Sequence, residues 1–597
     1  MIEDKFINII EKHKKEISNY RKIYDKIGYF RLISMIGGIY CTYKWIRGES
    51  QGGHFYIALL FYIIFIGLLI YHKSVKEKLK FSEDMIEINN RYLDRISGTW
   101  VNFKDIGEEF IDKSHRYSYD LDIVGKESLF QLINITSTWK GRTKLAKDLL
   151  FPNYDEAEIV LRQEAVEELF NNIDLCENME YVGKSKTGKL NDPEKLLNYV
   201  NDDSLIIKSK GIKGFIYIMP MVTIPLSLVI FLFKLSNIRW LISFFLVMQL
   251  IIWSLSLLKV NRTLESINYF RGTLEEYTNI LKIIEKQEFK SQKLKDIKNR
   301  LFNEEKSSLN AIKELYSISE RSNIKVGNGL LYIALNILFL WDYQCVFSLE
   351  AWKSKYGNKI ENWLSDIGEI EGLMSLSVIE HINEVTCYPK VSSKELKIVS
   401  KTLGHPLISR DVRVCNDVSM EDNIFIITGS NMSGKTTFLR TMGVNLVLAY
   451  MGGPICGEEL ECAQLEIFTS MRITDDLKNG ISTFYGELIR IKDIIEGSKN
   501  NKNMIFLIDE IFRGTNSKDR ITGAEAVVRN LSNAGAMGAL TTHDLELCNI
   551  KDNDRIKNYH FTEYYKDNKI LFDYKIRDGK SNTTNARYLM KIVGIEV

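Results

Sequence analysis

The sequence predicts a multidomain α and α/β protein. It should have N-terminal and central transmembrane helical hairpins, a helical region between and beyond them, and a C-terminal P-loop nucleotide-binding domain. Three observations lead there. The run Ile424-Phe425-Ile426-Ile427-Thr428 leads into Gly429-Ser430-Asn431-Met432-Ser433-Gly434-Lys435-Thr436-Thr437, a strand followed by GxxxxGKT and a helical pattern. Four apolar segments fall into two pairs, 28–46 with 55–71 and 214–233 with 240–258. From about Leu396 onward, short β-branched runs alternate with helices and glycine turns, as a largely parallel sheet requires.

At 597 residues the chain is too long for one core, and several domains are expected. Charged residues make up 26% and the formal net charge is +2, a balance that excludes neither nucleic acid nor membrane. Only 7 prolines and no Ser/Gly-rich tract leave no flexible linker or low-complexity tail. Eight cysteines without a CxxC or a histidine at zinc spacing read as buried thiols in a reducing compartment.

Residues 1–27 predict a cytoplasmic helix, and 28–71 a first hairpin whose Arg31 and Lys44 must reach the interfaces. The start of the chain does not read as a cleavable signal peptide. Residues 72–213 predict a helical region, and 214–258 a second hairpin whose two segments carry no Asp, Glu, Lys or Arg. Lysines flank both hairpins, and the loop 48–53 has no Lys or Arg, so both termini and the nucleotide site should be cytoplasmic in a multi-pass protein of the cell membrane. Few polar groups interrupt the spans (Gln249 stands out), and no small-molecule transport is expected. Residues 259–395 begin with Leu264, Ile267, Phe270, Leu274, Tyr277, Leu281 and Ile284 at helical spacing, an amphipathic helix continuing the last span. The apolar run 326–341 is assigned to a buried helix, because a further crossing would put the P-loop outside. Residues 396–597 form the nucleotide-binding domain.

Within it, glycines 429 and 434 let backbone amides point at phosphates. Lys435 is placed to neutralise their charge, and Thr436 to offer a hydroxyl to Mg²⁺. The apolar strand Met504–Asp509, followed by Glu510, sets Asp509 to hold Mg²⁺ and Glu510 to orient or deprotonate the attacking water. Ala539-Leu540-Thr541-Thr542-His543 is a second strand ending in a polar cluster, with His543 in reach of the γ-phosphate or the water. Binding and hydrolysis of a nucleoside triphosphate with Mg²⁺ follow, and ATP is the nucleotide expected.

Asn431 through Thr437, then Asp509-Glu510-Ile511-Phe512-Arg513-Gly514-Thr515, then Thr542-His543, resemble the ATPase domain of the MutS family. The resemblance extends to Gly404-His405-Pro406-Leu407 and to the stretch from Asp475 to Phe484. It includes the segment from Leu129 to Leu169, where Arg162-Gln163-Glu164-Ala165-Val166-Glu167-Glu168-Leu169 looks like the family's helical core. It implies an ABC-type ATPase working as a homodimer, with Ser482 and Thr483 reaching the γ-phosphate from the opposite subunit, and it implies DNA as a partner. Asp519 would be a structural or interface carboxylate. Arg413 stands where the family often stacks an aromatic on adenine. No counterpart of the mismatch-reading domain with its Phe-x-Glu wedge is recognised; Phe81-Ser82-Glu83, Phe302-Asn303-Glu304 and Phe561-Thr562-Glu563 sit in other contexts. The implied function is a membrane-anchored MutS-like ATPase acting on DNA near the membrane. The alternative is an ATP-driven remodeller of a membrane or protein partner.

Overall fold

The computed structural model describes residues 2–48, 52–152, 154–183, 192–202, 210–302, 307–392, 395–472, 483–501, 503–512, 516–550, 554–566 and 569–581. The nucleotide-binding region is built on a six-stranded sheet. Its spatial order is Lys569–Asp578, Ile556–Lys566, Ile424–Thr428, Met537–Thr542, Met504–Asp509 and Glu466–Ser470. All neighbours are parallel except the first pair, a hairpin. The expected parallel sheet is therefore present, and its strands are apolar on both faces because both are covered. Phe425, Ile427, Ile505 and Leu507 face a core shared with the helical region. Ile424, Ile426, Phe506 and Ile508 face the opposite way, into a second core that includes Ile491, Ile494, Val528 and Leu531 from the helices Thr483–Asn500 and Ser517–Asn533. A side chain fully buried in this way contributes about 1.5–3 kcal/mol. A smaller mixed sheet (Lys390–Ser392, Glu459–Ala463, Lys397–Leu403, Asn416–Glu421) lies beside it.

The long helix Arg239–Lys286 runs from the second apolar pair into the helical core. Leu264, Ile267, Phe270, Leu274, Tyr277, Leu281 and Ile284 are all buried there, so the stripe is a bundle face, packed against the helices Ser308–Ser322 and Trp341–Ile382. Buried polar contacts also tie the helical core to the nucleotide domain. Arg162, on the helix Glu156–Asn171, is 1% exposed; its Nε donates to the Met451 carbonyl at 2.7 Å, and its Nη atoms reach Asp148 and Glu369, each at 3.2 Å. Asp120 accepts from Thr469 Oγ1 (2.7 Å), Arg490 Nη1 (2.8 Å) and the Met471 and Arg472 amides (3.1 and 2.9 Å). All eight cysteines are free thiols, six buried and two half-buried.

The first apolar pair forms a hairpin of two 45-residue helices, Ile2–Ile46 and Gly53–Ser97. Among the described residues two helices are long and apolar enough to cross a membrane, Gly53–Ser97 and Gly211–Leu232. The number rises to four if two bent pairs each count as one span, Arg239–Leu255 with Val260–Lys286 and Gly329–Phe339 with Trp341–Ile382. Ile2–Ile46 is not among them. Its Arg31 reaches the neighbouring helix, with Nη1 3.0 Å from His72 Nδ1.

One expectation is overturned. The run 326–341 does not form a buried helix. Its helix Gly329–Phe339 buries only Tyr332 and Asn336, while Leu330 is 83% and Leu331 47% exposed. The polar side chains take the inner positions because Asp342 needs them: Tyr332 Oη donates to its carboxylate at 2.7 Å, and its amide donates to Asn336 Oδ1 at 3.0 Å.

Candidate nucleotide site

The P-loop curls between the strand Ile424–Thr428 and the helix Lys435–Tyr450. Gly429 (φ 150°) and Gly434 (φ 106°) take left-handed conformations that a side chain would strain. A Cβ on Gly429 would also lie 2.9 Å from Ser433 Oγ. Met432 follows at φ 66° and stands 86% exposed at the rim. Gly434 directly precedes the helix, whose free amides and dipole favour an anion. Buried Lys435 lies back across the loop, its Nζ donating to the Gly429 and Ser430 carbonyls, both at 2.9 Å. Ser430 Oγ is held by Glu563 at 2.8 Å, and buried Ser433 Oγ has no hydrogen-bond partner among the described residues. Both features suit a loop that exchanges internal contacts for phosphate oxygens.

Opposite, the sheet delivers the carboxylates. Thr436 Oγ1 donates to Asp509 Oδ2 at 2.8 Å, and Thr541 Oγ1 to Asp509 Oδ1 at 2.5 Å. Strand pairing sets the second contact, since Asp509 and Thr541 are register partners. A hydroxyl and a carboxylate at this spacing are the hard oxygen donors that Mg²⁺ takes. Glu510 follows at φ 48°, its amide donating to the Thr541 carbonyl and hydroxyl, both at 3.1 Å. Its Oε1 lies 3.0 Å from His543 Nε2, and the same nitrogen is 3.5 Å from Lys435 Nζ. Arg520 holds the neighbouring Asp544 through a two-pronged contact at 2.7 and 2.8 Å. The sequence-expected residues Lys435, Thr436, Asp509, Glu510 and His543 thus meet at one place.

A cavity of about 660 Å³ opens in front of them, lined by residues 431–438 and Glu510 and walled by Ile408, Val412, Val414, Phe561 and Tyr574. Exposed Asn431 and Thr437 lie on its edge. Arg413 does not take part in this wall. Its guanidinium turns away, donating to the Ile408 carbonyl (3.0 and 2.7 Å) and to Asn383 Oδ1 (2.7 Å). An aromatic comes instead from the closing hairpin: the Tyr574 ring sits against Gly434, 3.2 Å from where a Cβ would be. Sequence reading missed Tyr574, Thr541 and Glu563. Ser482, Gly514 and Thr515 lie outside the described residues, and so does the side chain of Thr483, the first residue of Thr483–Asn500. Asp519 lies in the first turn of the helix Ser517–Asn533, whose cap is Asn516: Asn516 Oδ1 accepts from the Asp519 amide at 3.0 Å, and Asn516 Nδ2 donates to the Asp519 carboxylate at 2.7 Å.

Residues 425–595 match MutS domain V, and residues 113–376 match MutS domain III. The chain is 26% identical over 509 residues to the DNA mismatch repair protein MutS of Thermosipho melanesiensis, which covers 79% of this chain and 60% of that protein. It is 29% identical over 243 residues to the proteins of the same name from Bacillus thuringiensis and Bacillus cereus, covering 39% of this chain and 27% of each. Domain III followed by domain V, with the nucleotide site inside the latter, together with these relatives, supports a MutS-family protein.

Proposed function

We propose that this chain is a membrane-anchored MutS-type ATPase that couples ATP binding and hydrolysis in a homodimer to conformational change on DNA near the membrane. The observation that carries the ATPase reading is the junction of Thr436 Oγ1 and Asp509 Oδ2 at 2.8 Å, with Glu510 and His543 beside it. Thr436 and Asp509 would hold Mg²⁺, which when bound neutralises phosphate charge. Lys435 releases its two carbonyl contacts to pair with phosphate oxygens, and the amides around Gly434 cradle the rest. Glu510, fixed through its amide and oriented by His543, takes the proton of the attacking water. Tyr574 and the Ile408–Val412 wall form the surface for the base. DNA as partner rests on relatives named for DNA mismatch repair. The membrane reading rests on the exposed apolar helices. A second reading, remodelling of a membrane or protein partner without DNA, draws on the helix Arg239–Lys286, which continues from an apolar outer segment through a bend into the core.

Glu510→Gln should retain ATP binding while turnover falls by a factor on the order of 10² or more, and Lys435→Ala should weaken binding itself. Hydrolysis by Glu510→Gln at the unmodified rate would refute this mechanism. Detergent-solubilised protein titrated with DNA across a salt series, with and without ATP, separates the two readings. ATP-sensitive, salt-dependent DNA binding supports the first. ATPase stimulation by vesicles without any DNA binding supports the second.

A further inference from the structure

The helix Gly329–Phe339 has its polarity inverted relative to a helix on a water-soluble surface. Tyr332 and Asn336, one turn apart, point inward and are satisfied by Asp342. Leu330 (83% exposed), Leu331, Ile333 and Leu338 point outward, and Val326 just before them is 80% exposed. No charged residue lies between Val326 and Trp341. A contiguous exposed face of this kind needs an apolar partner.

Three further observations say which partner. The helix packs on both members of the second apolar pair, Lys210–Leu232 and Arg239–Lys286, and the Trp253 ring meets the Tyr332 ring edge-on at 6.2 Å. Those two helices carry outward apolar side chains of their own, among them Met221, Leu228, Phe244 and Ile251, so the face is continuous with theirs. Basic and aromatic residues mark its edge: Lys325 lies over the Tyr332 ring at 5.9 Å, and Trp341 Nε1 donates to the Arg321 carbonyl at 2.9 Å. That last bond also ties the segment's exit to its entry. Eleven residues of helix span about 16 Å, roughly half of a ~30 Å hydrocarbon core, and a 77° bend follows before Trp341–Ile382.

We infer that Gly329–Phe339 is a membrane-embedded helix that contacts phospholipid acyl chains without crossing the bilayer, entering and leaving on the side that carries the nucleotide site. This rests on the membrane reading proposed above. It also removes the topological objection to membrane contact here, since a segment that returns to its own side leaves the P-loop where it was.

The test uses the full chain in phosphatidylcholine/phosphatidylglycerol vesicles, with Cys387 and Cys415 replaced by serine and one spin label per variant. Labels at Leu330→Cys and Leu338→Cys should collide more often with oxygen than with a water-soluble nickel chelate, as a label at Ile66→Cys on Gly53–Ser97 should, while Lys518→Cys shows the reverse. The labelled positions are exposed, so the label displaces no core packing. Lipid-like behaviour at Ile66 with water-like behaviour at Leu330 and Leu338 would overturn the inference and leave the membrane reading standing. Water-like behaviour at all three would overturn both. Cysteines at Lys325 and Lys355 should react with an impermeant maleimide from the same side, and reaction from opposite sides would show a crossing and defeat the proposal.

Discussion

The imidazole of His543 is 39% exposed and lies between Glu510 and Lys435, where its Nε2 can donate to the carboxylate or accept from the ammonium but not both. Its role therefore depends on which partner the phosphates draw away, and Lys435 is the one with phosphate charge to meet. His405 is the opposite case. It is buried near Arg440 of the P-loop helix, its Nδ1 accepting from the Leu407 amide at 3.2 Å. Burial, then the charges of Arg440 and Arg413, push its pKa down from 6.5 to about 3. Below pH 6.5 the unfolded chain binds a proton that the folded chain refuses until about pH 3, so the stability this group contributes is complete above 6.5 and is lost as the pH falls toward 3. His381, pushed down to about 3 mainly by burial, adds to that slope, whereas Glu177, pushed up to about 7 by burial, works against it as pH rises from 4.5. His405→Asn, which keeps an acceptor for Leu407, should flatten the fall of the thermal midpoint between pH 6.5 and pH 4.5; an unchanged slope would exclude the assignment. At this scale the sequence disclosed the residues whose role is set by a local motif. Lys435, Thr436, Asp509 and Glu510 were legible because each stands at a strand end or in the loop. Thr541 and Tyr574 were not, because what brings them to the site is sheet order and register, which no local pattern encodes.

Between elements, the short segment around Asp120 and Asp122 fastens the helical core to the nucleotide domain. Asp122 meets Arg440 of the P-loop helix at 3.0 Å and Arg472, beyond the strand Glu466–Ser470, at 2.5 and 2.9 Å. Asp120, 1% exposed, gathers four donors from the other side of the joint. Close packing reinforces the charges: a Cβ on Gly443 of the P-loop helix would lie 2.6 Å from Leu121 Cδ1. Asp120→Asn keeps the shape but leaves Arg490 without its carboxylate. The cost should be about 3–5 kcal/mol, as for a buried pair that loses one member, read as a lower thermal midpoint of the solubilised protein. A midpoint unchanged from the parent would mean that the joint is held elsewhere. Sequence alone showed a helical stretch here, from Leu129 to Leu169, but not that Asp120 and Arg162 would be its fastenings. Partners 289 and 352 residues away leave no periodic trace. The same limit explains the misassigned run 326–341. Apolar length marks a segment as shielded from water, yet whether protein or lipid shields it depends on which way Tyr332 and Asn336 face.

Across the whole molecule, the nucleotide cavity is open on the side where Met432 stands 86% exposed and His543 39%. A P-loop and one acidic strand bind a triphosphate from one flank only, and excluding water from the reacting phosphate requires a cover for the other. We propose that in the homodimer the second subunit brings Ser482 and Thr483 to the open side, where the start of the helix Thr483–Asn500 adds its own preference for anions. Each site then needs Lys435 from one chain and Ser482 from the other. Lys435→Ala and Ser482→Ala homodimers should both be slow. In a mixed dimer of the two variants, the site formed by the Ser482→Ala chain's P-loop and the Lys435→Ala chain's serine contains neither defect, while the other site contains both. Verified mixed dimers, isolated by two affinity tags, should therefore regain about half of the parent ATPase rate if the two sites turn over independently. The same experiment reports on coupling, because an intact site that needs a working neighbour would recover less than half. Verified mixed dimers no faster than the two variant homodimers would mean that Ser482 serves its own chain's nucleotide, because each site would then carry one defect. The dimer would then act through something other than a shared active site.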